Sequence, residues 1–400
     1  ATYNGIDKYT GDSTWGGYAE SVIVDQDGVM TALKKGSANI TARVAGSNLM
    51  AYIRVTVKSE FVIDESRTLV AYKGLGGDVV IPDDEGILYI GAYAFCLYDT
   101  DKSIELPDDD NDANKIPKSN TTVTSVTIPA GVKEIRKYAF YNCTGLKTVI
   151  LPDSVKIIRE YAFNKDEKLT EIDLSHVELV GAYAFSGCKS LENVDFSKVY
   201  AIGVRAFENC SSLTYANLSK LRNAGADAFR GCTNLAEVTF AEKTKLAEGM
   251  FARSGLVTVD LYTTMDIPKY CFSQCDKLTT VNIYQNIHEV GFGAFCESDA
   301  LTSVNFKGTV DVIAEQAFYD CNGLVSVTLP DCPVSLSNYS FFDCDKLTTV
   351  TLGKNTELTA VNGSVFEKTL LSDVVVPAGN SNYRMTGNYL TNASGDTILL

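Results

Sequence analysis

The chain has 400 residues, of which 45% are hydrophobic and 21% charged, and a formal net charge of −15. This is the composition of a folded, acidic protein. It excludes partners that need clustered cations, namely nucleic acid and anionic lipid, and leaves basic or metal-bearing partners compatible. No apolar run reaches the roughly 18 residues of a membrane span, so direct membrane insertion is not expected, and eleven cysteines cannot all pair within the chain.

Residues 1–58 differ from everything after them: they hold the only tryptophan, Trp15, and lack the repeat described below. Between Ser21 and Val44, apolar and polar residues alternate with glycine at the turns, which predicts a meander of short antiparallel strands. Asp27-Gly28 marks a tight hairpin between Val24 and Val29, Lys35-Gly36 marks a second turn, and Ile53, Val55 and Val57 mark a last strand. The residues Trp15, Val22, Val24, Asp25, Gly28, Val29, Thr31, Ala32, Gly36, Ile40, Thr41, Ala42, Val55 and Val57 together resemble the later part of a bacterial Ig-like group 2 domain. The resemblance implies an incomplete domain of a longer surface protein, with its first strands upstream of Ala1. Residues 59–82 read as a capping hairpin, Phe61–Ile63 against Thr68–Tyr72, ahead of a solenoid whose first rung needs cover.

From there one text recurs. Gly-Ala-Tyr-Ala-Phe-Ser-Gly-Cys at Gly181 returns as Gly-Val-Arg-Ala-Phe-Glu-Asn-Cys at Gly203 and as Gly-Ala-Asp-Ala-Phe-Arg-Gly-Cys at Gly225, each copy 22 residues after the last. A fixed period of this length is the mark of a stacked repeat. The index phenylalanines are Phe95, Phe140, Phe163, Phe185, Phe207, Phe229, Phe251, Phe272, Phe295, Phe318, Phe341 and Phe366. The first interval is 45 residues, about two periods, and Ile104-x-Leu106-Pro107 stands 22 residues before Val126-x-Ile128-Pro129. This predicts a rung that keeps its strand and has lost its turn, and hence 12–13 rungs over residues 83–377. Residues 378–400 read as a C-terminal extension in which Tyr389 to Leu400 resemble the opening hairpin of further structure.

Within one rung, Leu-x-x-Val-x-Leu supplies the main strand, a proline or serine stops it, a second short apolar stretch follows, and Tyr-Ala-Phe begins a tight helical turn. One rung cannot bury its apolar face alone, so the rungs must stack. The pattern Phe-x-x-Cys-x-x-Leu-x-x-Val-x-Leu, preceded by Ile-x-x-Tyr-Ala-Phe, resembles the BspA-like subclass of leucine-rich repeats over about three quarters of the chain. The resemblance implies a right-handed, curved solenoid with a parallel sheet on its concave side. It also implies a bacterial cell-surface or secreted protein, often an adhesin, with no catalytic residue to carry over.

Four groups of residues could carry chemistry. Seven cysteines sit three residues after an index phenylalanine: Cys143, Cys188, Cys210, Cys232, Cys275, Cys321 and Cys344. They read as small buried hydrophobes, and any disulfide is expected among the off-column Cys96, Cys271, Cys296 and Cys332. Asp108, Asp110 and Asp112 open like a calcium loop, but Ala113 and Ser119 stand where an EF-hand needs Gly and Glu. A looser Ca2+ site there competes with a solvated charge run, and no other cofactor is expected.

Next, the residues flanking the strand valine point outward and include no Lys or Arg from Thr148 to Thr351. Glu171, Asp173, Asn193, Asp195, Tyr215, Asn217, Glu237, Asp260 and Asn282, with Tyr262 and Tyr284 one position beyond their strands, form the candidate ligand-binding face. Finally, His176 and His288 lie on different rungs without a catalytic motif and read as surface or packing residues. The leading expectation is a non-enzymatic surface protein that binds an extracellular protein or glycan on this face. The alternative is a structural spacer that displays another module from the cell envelope.

Overall fold

One repeat shows why the chain coils. In residues 146–163, Leu146 and Val149 are buried while Thr148 and Ile150, on either side of Val149, face out. Val155 and Ile158 turn in again, and Ala162 and Phe163 are fully buried. The inward positions therefore fall on all sides of a flat ring, and they find cover only when the next ring is laid on top.

The computed structural model describes residues 2–4, 22–24, 30–32, 36–43, 50–57, 59–96, 119–241, 244–262, 266–361, 364–387, 389–392 and 394–398. They fall into two compact units, Ala1–Val62 with Tyr72–Gly74, and Ile63–Ala71 with Leu75–Leu400. In the first, Thr2–Asn4, Gly36–Arg43 and Met50–Val57 form an antiparallel sheet, and Val22–Val24 pairs with Met30–Ala32 in a second. Val24 opposite Met30 fits the hairpin read at Asp27-Gly28, whose own residues lie outside the described set. The strand Thr2–Asn4 carried no signal in the sequence.

The second unit is a parallel β-solenoid with almost no helix. Its main sheet starts with Gly77–Val80, Val123–Thr127, Thr148–Ile150 and Glu171–Ile172, with Val79, Val126, Val149 and Ile172 in register. Further along, Tyr215–Leu218 pairs with Glu237–Phe240, Thr258–Leu261 with Thr280–Ile283 and Ser303–Phe306, and Ser326–Thr328 with Thr349–Thr351 and Asp373–Val375. A lateral parallel sheet takes the second apolar stretch of each coil, for instance Glu134–Ile135, Ile157–Ile158, Leu179–Val180 and Ala201–Ile202. The C-terminal strands Tyr383–Thr386, Tyr389–Asn392 and Thr397–Ile398 are antiparallel.

The Tyr-Ala-Phe segments are turns, not the short helices expected. Two residues per turn hold a left-handed conformation, one two positions before the phenylalanine and one two after it: Tyr138 and Asn142, Tyr161 and Lys165, Arg205 and Asn209. That alternation points the amides alternately along and across the coil. Tyr161, Phe163 and Lys165 donate to the next coil (Ala182, Ala184 and Ser186 O, 2.7–2.9 Å), while Ala162, Asn164 and Asp166 donate three residues back (3.2–3.3 Å). Every amide of the turn is paired, and no i−4 bond is left to make a helix. The index phenylalanines stack directly, with ring centroids 4.5–5.6 Å apart and nearly parallel planes from Phe95 to Phe366. Outside this core, Tyr93, Tyr138, Tyr161 and Tyr183 stack at 4.8 Å.

The 45-residue interval is not a degenerate rung. Phe140 lies on Phe95 at 4.5 Å, and Val123–Thr127 pairs directly with Gly77–Val80. Val79-Val80-Ile81-Pro82 carries the same apolar-Pro pattern as Ile104-x-Leu106-Pro107 and takes the place beside Val126.

Candidate functional site

The outward face of the main sheet is set by register. One column runs Asp78, Ser125, Thr148, Glu171, Asn193, and a second runs Val80, Thr127, Ile150. Beyond them Tyr215 stands beside Glu237 and Asn217 beside Thr239, and Asp260, Asn282 and Asn305 are neighbours.

The sheet is interrupted at a particular place. After Glu171–Ile172 the next coil is held by a single bridge, Glu171 to Asn193, and among the described residues it does not pair with Tyr215–Leu218. The strand-end amide of Ile128 closes the ladder to Ile150 O at 3.0 Å, whereas, among the described residues, the amides of Leu151, Leu174 and Phe196 donate to no backbone carbonyl. Phe196 takes the strand-end position that Leu174 and Leu218 hold in the coils on either side. It is buried, and its ring meets Phe207 of its own coil edge-on at 5.1 Å and Phe229 of the next at 5.8 Å. We attribute the break between this coil and Tyr215–Leu218 to the width of that ring.

The other two strand-end phenylalanines, Phe240 and Phe306, are half-buried and pair with the strand before them, and the break falls on the side after them. The main sheet breaks after Glu237–Phe240 and again after Ser303–Phe306. The index stack widens beside the first two wedges, from 4.9–5.1 Å between Phe140 and Phe207 to 5.4–5.6 Å between Phe207 and Phe272.

The first seam opens a cavity of about 860 Å³ lined by Glu171, Asp173, Asn193, Asp195, Tyr215 and Asn217, together with Thr170 and Glu192. Four carboxylates line it and no cation does. Asp173, Asp195 and Asn217 each have a local duty: their Oδ1 atoms accept the amides of Ser175, Ser197 and Ser219 at 2.8, 2.7 and 3.1 Å, which turns the chain out of the strand. Glu171 and Glu192 are exposed and, among the described residues, make no side-chain hydrogen bond or ion pair. Tyr215 is 42% exposed, and its hydroxyl lies 2.8 Å from Thr239 Oγ1.

A second tract holds Asp260, Tyr262, Asn282 and Tyr284, while Glu237 stands beside Tyr215 on the near side of the next break. Asn282 Nδ2 donates to Asp260 Oδ1 at 2.7 Å, and Asn305 Nδ2 donates to Asn282 Oδ1 at 2.8 Å. Tyr262 and Tyr284 stack beside this ladder at 4.5 Å with planes 3° apart. Desolvation and the Asp260 carboxylate push the Tyr284 phenol above its ordinary range. The structure thus divides the predicted face between a seam and this tract, separated by the break after Glu237–Phe240. Sequence reasoning missed Glu192 and Thr170, which precede the outward pair by one position. It also missed the wedge, whose signal was Phe in a column of Leu and Ile.

The other candidates are quickly placed. All eleven cysteines are buried and free, the off-column four included. Burial pushes their thiols up, Cys232 and Cys344 to about 12. His176 lies 3.4 Å from Asp153, and His288 Nδ1 lies 3.0 Å from Asp311, a contact that raises the imidazole pKa. Asp108, Asp110 and Asp112 lie outside the described residues. Among the described residues no three His, Cys, Asp or Glu side chains gather as a metal site, and no helix is long and apolar enough to cross a membrane.

Comparison with known proteins gives this geometry a context. The family model of the BspA type leucine-rich repeat region matches residues 77–176, 118–220, 158–266 and 265–390. Among solved structures, a leucine-rich repeat protein from Bacteroides ovatus is 19% identical with a TM-score of 0.51, over 86% of this chain and 94% of that one. A leucine-rich cell surface protein from Faecalibacterium prausnitzii is 23% identical with a TM-score of 0.42, over 79% and 92%. The pneumococcal vaccine antigen PcpA is 20% identical with a TM-score of 0.49, over 90% and 89%. At these identities the B. ovatus structure speaks for the fold alone, and no curated protein matches the chain.

Proposed function

This chain belongs to the BspA-type leucine-rich repeat family, and from that premise we propose that it is a non-enzymatic bacterial surface or secreted protein that binds an extracellular protein or glycan on the outward face of its main sheet. The observation that carries the proposal is the seam. Glu171 and Glu192 stand exposed and unpaired at a cavity that holds four carboxylates and no cation. Exposed like charges at close quarters lower stability slightly and contribute nothing to the stack. A partner that presents Lys, Arg or polyol groups would relieve them with charge-assisted hydrogen bonds. The amide ladder and paired tyrosines further along extend the same surface with planar polar groups and aromatic rings.

The N-terminal unit, with its two antiparallel sheets, is compatible with the Ig-like module expected there and would serve as a stalk. The family is built on repeats and binding faces, and where a hydroxyl does meet an imidazole, Ser175 Oγ at 3.0 Å from His176 Nδ1, Asp153 Oδ1 shares the same ring nitrogen at 3.4 Å and the group is exposed, which supports a binding role over catalysis. The test is a screen of the purified chain against immobilised extracellular-matrix proteins and glycans, repeated with Glu171, Asp173 and Asp195 reversed to Lys. Capture by the wild type and loss in the variant is the expected outcome. Equal capture by both would remove the seam from the binding surface.

A further inference from the structure

The position three residues after each index phenylalanine carries the most uniform chemistry of the core. Each column thiol donates to the phenylalanine carbonyl of the preceding coil: Cys188 to Phe163 O at 3.1 Å, Cys210 to Phe185 O at 3.2 Å, Cys232 to Phe207 O at 3.1 Å, and Cys321 to Phe295 O at 3.1 Å. Ser298 fills the slot with oxygen. Its Oγ donates to Phe272 O at 3.3 Å and accepts the Cys275 amide, also at 3.3 Å.

Asp166 occupies this slot in the coil of Phe163. Its side chain is fully buried. Oδ1 accepts the Cys143 amide at 2.7 Å, as Ser298 Oγ accepts that of Cys275, and Oδ2 has no hydrogen-bond partner. No cation faces it: the titratable groups around it are the thiols of Cys96, Cys143 and Cys188, which burial keeps protonated. An ionised carboxylate here would be an unpaired charge in the interior, and it would set an acceptor where the neighbouring coils present a donor.

We infer that Asp166 is carried as a neutral carboxylic acid whose Oδ2–H donates to the Phe140 carbonyl in place of a thiol, and that its ionisation loosens the coils on either side. Burial moves this carboxyl well above the usual range, and only the Cys143 amide pulls the other way. A carboxyl that holds its proton more tightly when folded contributes its full stability below the unfolded pKa and loses it as pH rises through the folded one. Mild acid therefore favours this part of the stack and alkali weakens it. The same coil continues into Glu171 and Asp173, so the device underlies the first seam, but it depends on packing alone and not on any ligand.

The experiment titrates the Asp166 carboxyl carbon by 13C NMR in the full chain and follows hydrogen exchange of the Cys143 amide in wild type, Asp166→Cys and Asp166→Asn. The expected carboxyl signal stays protonated well above pH ~4. Protection of the Cys143 amide should fall with pH, after correction for intrinsic exchange, by up to about tenfold per pH unit in wild type, and stay flat in both variants, each of which supplies a donor. A carboxyl that titrates near the ordinary ~4, or wild-type protection that runs parallel to the variants, would overturn the inference. If the variants do not fold, the carboxyl titration in the wild type decides by itself.

Discussion

The inward and outward columns of the main strands come from the same repeat, yet only the inward ones repeat faithfully. Phe140, Phe163, Phe185 and Phe207 are all fully buried in one stack, while the outward residues of those coils change from Thr148 and Ile150 to Glu171 and Asp173 and then to Asn193 and Asp195. An inward position is constrained by the ring above and the ring below, so a change of volume there is felt at once. An outward position meets water and is free to vary. The lesson lies in the exception: where an inward residue does change, from Leu to Phe at position 196, the outward face opens.

Substitutions can break this contrast in graded steps. The largest effect belongs to the stack. Phe207→Ala should cost about 3–5 kcal/mol in denaturant unfolding, and a loss below about 1 kcal/mol would mean that the ring is not in the core. Next comes the wedge. Phe196→Leu keeps an apolar side chain and removes the ring's excess width, so it should cost roughly 1–2 kcal/mol and bring protection from hydrogen exchange to the Leu174 and Phe196 amides.

Smaller still is the thiol column. Cys188→Ser retains a donor to Phe163 O, as Ser298 does to Phe272 O, and should be milder than Cys188→Ala, the two differing by about 1 kcal/mol in unfolding free energy. The outward face should matter least. Tyr284→Ala forfeits one exposed stacked pair, roughly 0.2–1 kcal/mol, in the same unfolding assay.

The repeat made the stack legible, because a near-fixed spacing of Phe, Cys, Leu and Val admits only a coil that closes every 21 to 25 residues. Three features were not legible. Two strand-like segments precede Val126, 79–82 and 104–107, and spacing alone does not decide which one lies against it. The turns looked helical because Tyr-Ala-Phe suits a helix, whereas their left-handed residues are imposed by hydrogen bonds to the next coil. The seam arises from how one aromatic ring packs between two coils, and no reading of outward residues anticipates it. The site residues themselves followed from strand alternation, and the cavity then gathered six of the eleven and added Glu192 and Thr170.

We propose that Phe196 parts the main sheet and thereby opens the candidate binding face. The most direct measurement is the crystal structure of Phe196→Leu beside that of the wild type. The account predicts that the ladder from Glu171–Ile172 runs on without interruption through residues 193–196 to Tyr215–Leu218, and that the cavity lined by Glu171, Glu192 and Asp195 closes. An open seam with the same broken sheet in the variant would contradict it.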